Sequence, residues 1–212
     1  MSNNNIENLR KDYSINKLEE NNITDDPIKL FSEWLKVAID SKVNEPTAMT
    51  LSTSSEFGYP DSRIVLLKGF DKNGFKFYTN YNSSKGKQLE INPKCALNFF
   101  WPELERQVRI KGDVKKVSAL ESDAYFNSRP KESQLSAIIS PQSEKVTNRA
   151  YLEKLKDDYK SDNIEIVRPD YWGGYIVIPI SIEFWQGRPG RLHDRFLFTR
   201  KDEGWERNRL AP

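Results

Sequence analysis

The side chains best suited to chemistry in this chain are cations and hydroxyls, and they fall in separate short segments. One segment carries Arg63 and Lys68 at the two ends of an apolar run. Another carries Tyr125 and Arg129, four residues apart and therefore on one face of an expected helix, with Ser133 shortly after a proline. A helix start offers free N–H groups to an anion, and arginine and hydroxyl groups bind phosphate oxygens. This second segment therefore predicts a phosphate site.

Two more segments have related chemistry. Tyr78 and Thr79 are followed by Lys85 at the start of an expected short helix, which again suits an anion. Between Trp185 and Arg195, several arginines and the only histidine of the chain surround a glycine-containing turn. Arginine stacks on planar rings and tryptophan covers them. Two anion sites together with stacking groups would suit two planar, phosphorylated molecules.

Each segment taken alone is also compatible with a charged loop or helix break in solvent. Arg63 and Lys68 are five residues apart, so a regular strand would point them to opposite faces. Either this strand is twisted or bulged, or the two cations serve different ligands.

Composition excludes several other classes of protein. With one cysteine (Cys95) and one histidine (His193), an internal disulfide and a cysteine zinc site are excluded, and no metal site is predicted. The sequence contains no glycine-rich dinucleotide fingerprint and no P-loop. A net charge of +2 disfavours general nucleic-acid binding. No apolar run is long enough for a membrane span, and the first residues are polar, so we expect a soluble, cytoplasmic protein.

The elements that must position these groups are mainly strands. Asp26-Pro27 predicts a helix start, and the helix should end near residues 44–46. The fold class expected is mainly β with peripheral helices (α+β), as a small antiparallel barrel over residues 26–212, preceded by a mobile arm over residues 1–25. Ile64–Leu67 is apolar on both faces and would need an outer cover, either a helix or a second subunit. The further strands are predicted at 47–54, 62–70, 74–79, 95–101, 107–117, 174–184, 195–199 and 205–210, and the further helices at 84–91, 118–128, 133–139 and 143–159.

In combination, these segments resemble the pyridoxine/pyridoxamine 5′-phosphate oxidase family. The motifs that carry the resemblance are Arg63-Ile-Val-Leu-Leu-Lys68, Phe77-Tyr-Thr-Asn80, Leu104-Glu-Arg-Gln-Val108, Tyr125-Phe-Asn-Ser-Arg-Pro130, Ile182-Glu-Phe-Trp-Gln-Gly187, Arg191-Leu-His-Asp-Arg195 and Arg209-Leu-Ala-Pro212. They occur in the family's order and with similar spacing.

The resemblance implies a split β-barrel homodimer that holds FMN in two clefts at the subunit interface. It implies oxidation of pyridoxine 5′-phosphate or pyridoxamine 5′-phosphate to pyridoxal 5′-phosphate by molecular oxygen, with hydrogen peroxide as product and ammonia released from the amine. The implied FMN contacts are Arg63, Ile64, Val65, Leu66, Leu67, Lys68, Tyr78, Thr79, Ser84, Lys85, Gln107, Gln142, Ser143, Trp185 and Arg195. The implied substrate contacts are Arg10, Tyr13, Lys68, Tyr125, Arg129, Ser133, Arg191 and His193, of which Arg191 and His193 would lie on the pyridine ring.

Ser84 stands where family members often carry a second basic residue beside Lys85, which implies a weaker hold on the flavin phosphate. Three other functions stay open. The first is a related flavin oxidase of phenazine biosynthesis, which the phosphate-binding character of Tyr125, Arg129 and Ser133 disfavours. The second is a carrier of flavin or pyridoxal phosphate, and the third is a barrel that binds single-stranded nucleic acid through its aromatic residues.

Overall fold

The structure is a computed structural model that describes residues 8–9, 11–161 and 165–212. These residues form nine β-strands and five α-helices. The strands are β1 (Ala48–Ser54), β2 (Pro60–Leu66), β3 (Gly69–Asp71), β4 (Gly74–Asn80), β5 (Lys94–Trp101), β6 (Arg106–Lys116), β7 (Trp172–Gln186), β8 (Asp194–Lys201) and β9 (Gly204–Arg209). The helices are α1 (Pro27–Asp40), α2 (Ser84–Ile91), α3 (Ala119–Ser128), α4 (Lys131–Ile139) and α5 (Arg149–Ser161).

The predicted start of α1 is confirmed. The Asp26 carboxylate accepts hydrogen bonds from the backbone N–H groups of Ile28 (2.8 Å) and Lys29 (3.3 Å), which caps the helix. The helix ends at Asp40, earlier than expected, because Lys42 adopts the left-handed conformation (φ 55°) that no helix can continue through. Its buried stripe consists of Leu30, Phe31, Trp34, Leu35 and Ala38.

The nine strands belong to one sheet. Its order is β2-β1-β5-β6-β7-β4-β3, with β8 paired to β7 and β9 paired to β8. The long strand β7 pairs antiparallel with β4 through its first half and with β8 through its second half. The contacts of the chain nevertheless divide into two compact units.

The first unit comprises the described residues up to Met49 together with Leu97–Lys111 and Ile180–Pro212. Its core is aromatic: Phe31 meets the ring of Phe99 edge-on at 5.0 Å, and Trp34 meets Phe184 at 5.2 Å. Such pairs add about 0.5–1.5 kcal/mol beyond the burial of their area. The core therefore packs against Phe184 near the end of β7, the strand that precedes residues 187–193.

The segment before α1 also packs within this unit. The buried carboxylate of Glu105 accepts hydrogen bonds from the backbone N–H groups of Ser14 (2.8 Å) and Ile15 (3.0 Å). Farther along, the guanidinium of Arg209 binds the Glu20 carboxylate, with its Nη2 at 3.0 Å. These bonds fix residues 14–20, while the mobility predicted for residues 1–25 stays a prediction.

The second unit comprises the described residues of Thr50–Ala96 and Gly112–Pro179. In β4, Phe75 and Phe77 are fully buried, and Phe77 lies 5.6 Å from the ring of Tyr175 on β7. Gly74 begins β4 at φ 149°, and a Cβ there would lie 2.1 Å from the carbonyl oxygen of Val177. Glycine is therefore required where β4 turns in beside β7.

Strand β2 is the most exposed strand of the second unit. Ile64 is 64% exposed and Leu66 is 37% exposed, although the sequence predicts a cover on both faces of this strand. Within the described chain that outer face is uncovered. Of the two covers that the sequence left open, the second subunit is the one this exposure favours.

Candidate functional site

The second unit contains a cavity of about 690 Å³, named here the Arg129 cavity. This volume lies in the usual range for small-molecule sites, about 300–1,000 Å³. Of the described residues that line it, four are cationic and none is acidic, so the cavity is suited to an anion. The lining consists of Arg63, Ile64, Val65, Leu66, Lys68, Tyr78, Thr79, Lys85, Tyr125, Arg129, Pro130, Ser133, Gln142, Ser143 and Trp172.

The end of β2 explains how Arg63 and Lys68 reach the same cavity. The strand stops at Leu66, and Leu67 turns into the core with 5% exposure. Lys68 then bonds through its backbone N–H to the carbonyl of Lys76 on β4 (2.9 Å). The interruption at Leu67 removes the strict alternation of faces, so both cations line one cavity.

Arg63 is held in place by its own unit. Its Nη1 donates to the Thr53 hydroxyl (2.6 Å) and its Nη2 pairs with the Asp61 carboxylate. The guanidinium is thus oriented before any ligand arrives, with part of its charge already compensated.

Lys85 is a buried cation near the start of α2. Its Nζ donates to the side-chain oxygen of Gln142 (3.2 Å) and the hydroxyl of Ser83 (3.3 Å), both of which are neutral. Burial and, to a smaller extent, the nearby charge of Arg63 lower the pKa of Lys85, while Asp61 opposes this. A buried ammonium without a carboxylate partner is costly, so this position favours an anionic ligand.

Gln142 joins two of the predicted contacts. Its Oε1 accepts hydrogen bonds from Thr79 Oγ1 and from Lys85 Nζ, each at 3.2 Å. The next residue, Ser143, adopts the left-handed conformation at φ 73°. Strained backbone of this kind clusters at ligand sites.

Tyr125, Arg129 and Ser133 meet at the junction of α3 and α4. Arg129 is the C-terminal cap of α3, and its Nη1 is buried with no hydrogen-bond partner among the described residues. Burial raises the pKa of Tyr125, an effect that the charge of Arg129 opposes. The phenol is therefore neutral near pH 7 and can donate its proton in a hydrogen bond. An unsatisfied guanidinium N–H beside two hydroxyls fits the oxygens of a phosphate.

Two predicted contacts of this region do not line the Arg129 cavity. Leu67 is buried in the core, and Ser84 is the exposed first residue of α2. Ser83, one residue earlier, caps α2 by accepting from the N–H of Gly86.

The first unit contains a second cavity of about 550 Å³, named here the His193 cavity. Its lining brings the predicted residues Tyr13, Arg191 and His193 together with Arg188, which sequence reasoning did not select. The remaining lining residues are Leu9, Lys11, Asp12 and Gly190. Arg10, also predicted to bind substrate, lies outside the described residues.

The hydrogen bonds of His193 define its proton. Nδ1 accepts from the backbone N–H of Arg188 (3.1 Å), so in the neutral ring the proton is on Nε2. Burial and then the charge of Arg191 lower the pKa of His193, while Asp194 opposes this. The ring lies 4.7 Å from that of Trp185. His193 is therefore a neutral, oriented hydrogen-bond donor near pH 7.

Arg191 is exposed, and its backbone is left-handed at φ 63°, directly after Gly190 at φ 65°. A non-glycine residue in this region costs about 1–3 kcal/mol and persists only where the surroundings require it. The conformation projects the side chain from a tight turn, and Arg191 lines the His193 cavity.

Three predicted FMN contacts belong to the first unit. Trp185 meets the Tyr13 ring edge-on at 5.5 Å, and Gln107 lies half-buried in β6. The guanidinium of Arg195 donates to Glu183 (2.9 and 2.8 Å) and to the carbonyl of Ala211 (2.7 Å). Arg195 therefore links Ala211 to Glu183 on β7.

Trp172, which lines the Arg129 cavity, was missed by sequence reasoning. Its only sequence signal is its place before two glycines at the start of a strand, which does not by itself indicate a ligand site.

The described residues contain no cluster of three or more histidine, cysteine, aspartate or glutamate side chains able to hold a metal ion. In the same part of the chain, no helix has the length and apolar character needed to cross a membrane.

Two family models match the chain. Residues 35–155 match the model described as pyridoxamine 5′-phosphate oxidase, and residues 172–212 match the pyridoxine 5′-phosphate oxidase C-terminal dimerisation region. The curated pyridoxine/pyridoxamine 5′-phosphate oxidase of Legionella pneumophila (strain Paris) is 50% identical over 208 residues, 96% of each chain. The enzymes of the same name from Leptospira interrogans and Trichormus variabilis are 50% and 51% identical, each over 98% of both chains.

Solved structures show the same architecture. PhzG from Burkholderia lata, in complex with tetrahydrophenazine-1-carboxylic acid, superposes with a TM-score of 0.88 at 27% identity, covering 94% of this chain and all of that one. An FMN-binding protein of Nostoc punctiforme, related to pyridoxamine 5′-phosphate oxidase, gives 0.72 at 19% identity, covering 90% and 100%. The curled sheet and these structural neighbours define a split antiparallel β-barrel protein with helices, which confirms the predicted fold class. The chain belongs to the pyridoxamine 5′-phosphate oxidase family.

Proposed function

We propose that this protein is the FMN-dependent oxidase that converts pyridoxine 5′-phosphate or pyridoxamine 5′-phosphate to pyridoxal 5′-phosphate, with molecular oxygen as electron acceptor. The observation that carries the proposal is the Arg129 cavity, in which cations and hydroxyls from separate segments surround one space without an acidic residue among the described lining. The 50% identity to curated oxidases over nearly the whole chain supports the same reaction.

The residues present fit FMN. Lys85 offers a buried ammonium bonded only to neutral oxygens, and Gln142 holds both Lys85 and Thr79 from the side. These groups suit the flavin phosphate, whose charge would offset the cost of burying Lys85. When bound, FMN would take up the hydride equivalent lost by the substrate carbon and deliver the electrons to oxygen, which leaves as hydrogen peroxide.

The substrate phosphate would be bound by Arg129, Tyr125 and Ser133, with Lys68 at the edge of the same cavity. The free Nη1 of Arg129 donates one charge-assisted hydrogen bond, and the neutral phenol of Tyr125 donates another. Because the substrate phosphate is bound, the pyridine ring and its reacting carbon are held in a fixed position. Contacts to the phosphate raise the reaction rate in this way, although the phosphate does not react.

His193 and Arg191 would orient the pyridine ring. Because Nδ1 of His193 accepts the N–H of Arg188, its Nε2–H is left to donate to a polar substituent of the ring, and a role as a base would require breaking the bond to Arg188. Arg191 would stack over the pyridine ring and hold its reacting carbon in place. Redox chemistry supplied by the flavin requires no histidine base, so this assignment is consistent with the reaction.

We further propose a homodimer with FMN at the subunit interface. Its support is the exposed apolar face of β2, where Ile64 is 64% exposed, and the match of residues 172–212 to a dimerisation region. The proposal places the enzyme in the cytoplasm, a reducing compartment compatible with the buried free thiol of Cys95. Sedimentation of the purified protein would test the dimer.

A visible spectrum of the purified protein tests the function directly. We expect a yellow protein that loses its flavin absorbance on anaerobic addition of pyridoxamine 5′-phosphate and consumes oxygen when air is admitted. A coloured protein that no B6 phosphate reduces would favour the carrier, and a colourless one that binds oligonucleotides would favour the nucleic-acid barrel. Reduction by a dihydrophenazine carboxylate but not by B6 phosphates would favour the phenazine oxidase.

A further inference from the structure

We propose that Trp172 is a positioning residue that holds the guanidinium of Arg129 ready for the substrate phosphate, and thereby sets the preference for phosphorylated over unphosphorylated vitamer. This inference rests on the proposed function and deepens it, because it concerns substrate selection at the same site. Trp172 is the first residue of β7 and lines the Arg129 cavity with 6% exposure.

Trp172 lies under the guanidinium of Arg129 within a stack of rings. The Cζ atom of Arg129 is 4.6 Å from the centre of the Trp172 ring, a cation–π distance. The ring of Tyr125 is nearly parallel to that of Trp172 (4°, 6.2 Å between centres), and the ring of Tyr78 is close to parallel as well (18°, 5.8 Å). Tryptophan is thus the common neighbour of the arginine and the tyrosine that would bind phosphate.

Arg129 depends mainly on this ring, because its contact with the Phe126 ring is longer (5.9 Å) and its other restraints are few. Within the described part of the chain it forms no ion pair, and its Nη1 is buried without a hydrogen-bond partner. Its backbone is fixed, since the carbonyl accepts from Gln134 Nε2 at 2.7 Å, but that bond does not orient the guanidinium. Arg63 offers the contrast, because Asp61 and Thr53 bind its guanidinium directly.

Trp172 is itself held firmly. Its backbone N–H donates to the carbonyl of Pro169 (2.9 Å), and its backbone carbonyl accepts from Nη1 of Arg168 (2.6 Å). The glycine that follows packs without room for a side chain: a Cβ on Gly173 would lie 2.3 Å from the hydroxyl of Tyr81. The backbone that carries the indole ring of Trp172 is therefore fixed.

A fixed ring beneath the guanidinium has a definite consequence for binding. When an arginine stacks on an aromatic face, its guanidinium lies parallel to the ring, and its N–H groups point outward in the guanidinium plane, where they can bond to phosphate. The stacked guanidinium is already restricted, so less entropy is lost when phosphate binds. A smaller ring keeps part of the effect, and an aliphatic side chain removes it. The unphosphorylated vitamer does not use Arg129, so its turnover should be insensitive to the change.

The test compares Trp172→Leu and Trp172→Phe holoenzymes with the wild type, using pyridoxine 5′-phosphate and pyridoxine. For Trp172→Leu we expect about a tenfold higher KM for pyridoxine 5′-phosphate, which corresponds to a partly desolvated cation–π contact. We expect the kcat/KM for pyridoxine and the FMN content to change less than about twofold, and Trp172→Phe to lie between wild type and Trp172→Leu.

Trp205→Leu is the matched control, since Trp205 makes a similar contact with Arg200 (5.1 Å) within the first unit. Trp205→Leu should leave the KM for pyridoxine 5′-phosphate and the kcat/KM for pyridoxine at their wild-type values. A double-mutant cycle supplies the decisive readout: in an Arg129→Ala background, Trp172→Leu should have no further effect on the KM for pyridoxine 5′-phosphate.

Two results would overturn the inference. One is a loss shared equally by the phosphorylated and unphosphorylated substrates, and the other is an effect of Trp172→Leu that persists undiminished without Arg129. If Trp172→Leu does not fold, the same cycle with Trp172→Phe and competitive inhibition by inorganic phosphate decide the question, since a normal inhibition constant would refute it. A wild-type enzyme that does not oxidise pyridoxine 5′-phosphate would instead refute the proposed function.

Discussion

Replacing Lys85 by methionine should weaken FMN binding while leaving the apoprotein at least as stable as the wild type. The substitution preserves an unbranched apolar stem and removes the charge. In the apoprotein, Nζ bonds only to the neutral oxygens of Gln142 and Ser83, at 3.2 and 3.3 Å. The side chain is only 8% exposed, so its ammonium receives little hydration in return.

The two effects have different magnitudes. Loss of one charge-assisted hydrogen bond to the flavin phosphate costs about 1.5–3 kcal/mol, or about a 10- to 150-fold higher Kd. In the apoprotein, the two long hydrogen bonds contribute about 1 kcal/mol each, against a desolvation penalty of several kcal/mol for a buried ammonium. The free energy of unfolding of the variant should therefore equal or exceed that of the wild type.

The pH dependence of apoprotein stability gives an independent test of the charge on Lys85. Burial and Arg63 lower the pKa of Lys85, so between the lowered value and the ordinary value the unfolded chain binds more protons than the folded one. The wild-type apoprotein thus gains stability from this group as pH rises through that window. The advantage of Lys85→Met should be largest below the window and should vanish as pH approaches about 10.5.

Flavin fluorescence titration gives the Kd, and denaturant unfolding of the apoprotein gives the stability. Lys87→Met, an exposed lysine on the same helix, is the control and should change neither quantity. A variant that binds FMN normally, or an apoprotein destabilised by about 2 kcal/mol or more, would contradict the view of Lys85 as a buried cation awaiting an anion.

Further expectations concern the two cavities. Arg129→Ala should raise the KM for pyridoxine 5′-phosphate by about 10- to 150-fold and reduce the preference over pyridoxine, as paired steady-state kinetics would show. Arg191→Ala should lower kcat far more than it weakens FMN binding, and equal losses would contradict its assigned role. Because burial and Arg191 lower the pKa of His193, the acid limb of the rate profile should fall below pH 6.5 and should move up in Arg191→Gln. In Gly174→Ala, a Cβ 2.7 Å from the Tyr78 ring should lower the free energy of unfolding by about 1–3 kcal/mol, measurable by denaturant titration.

Local signals in the sequence were sufficient for most elements. The cap at Asp26 and the turn at Gly74 each have a short-range physical cause, and the structure places α1 and β4 at those residues. The strand predicted over 62–70 is different, because the structure divides it into β2 and β3 with Leu67 buried between them. A run that is apolar on both faces contains no alternation from which such a break could be predicted.

The site was predictable where residues carry their chemistry with them. Tyr125, Arg129 and Ser133 were selected from their residue types and spacing, and the structure brings them to one cavity. Trp172 and Arg188 were not, because the first acts through a ring contact with a residue distant in sequence and the second through its backbone N–H. Contacts of these kinds depend on the tertiary fold and leave no pattern in a single sequence.

The net charge of the chain does not indicate its anion-binding character, because the cations that matter are concentrated in one cavity. The chain is close to neutral at +2, yet the described lining of the Arg129 cavity has four cations and no acid. Of these cations, Arg63 pairs with Asp61, whereas Lys85 and Arg129 have no carboxylate partner among the described residues. Lys85 is buried and Arg129 is half-buried with its Nη1 shielded from water, and burial lowers the pKa of each. A fold that carries two such charges without ligand is less stable than it could be, and phosphate esters are the ligands that relieve this cost.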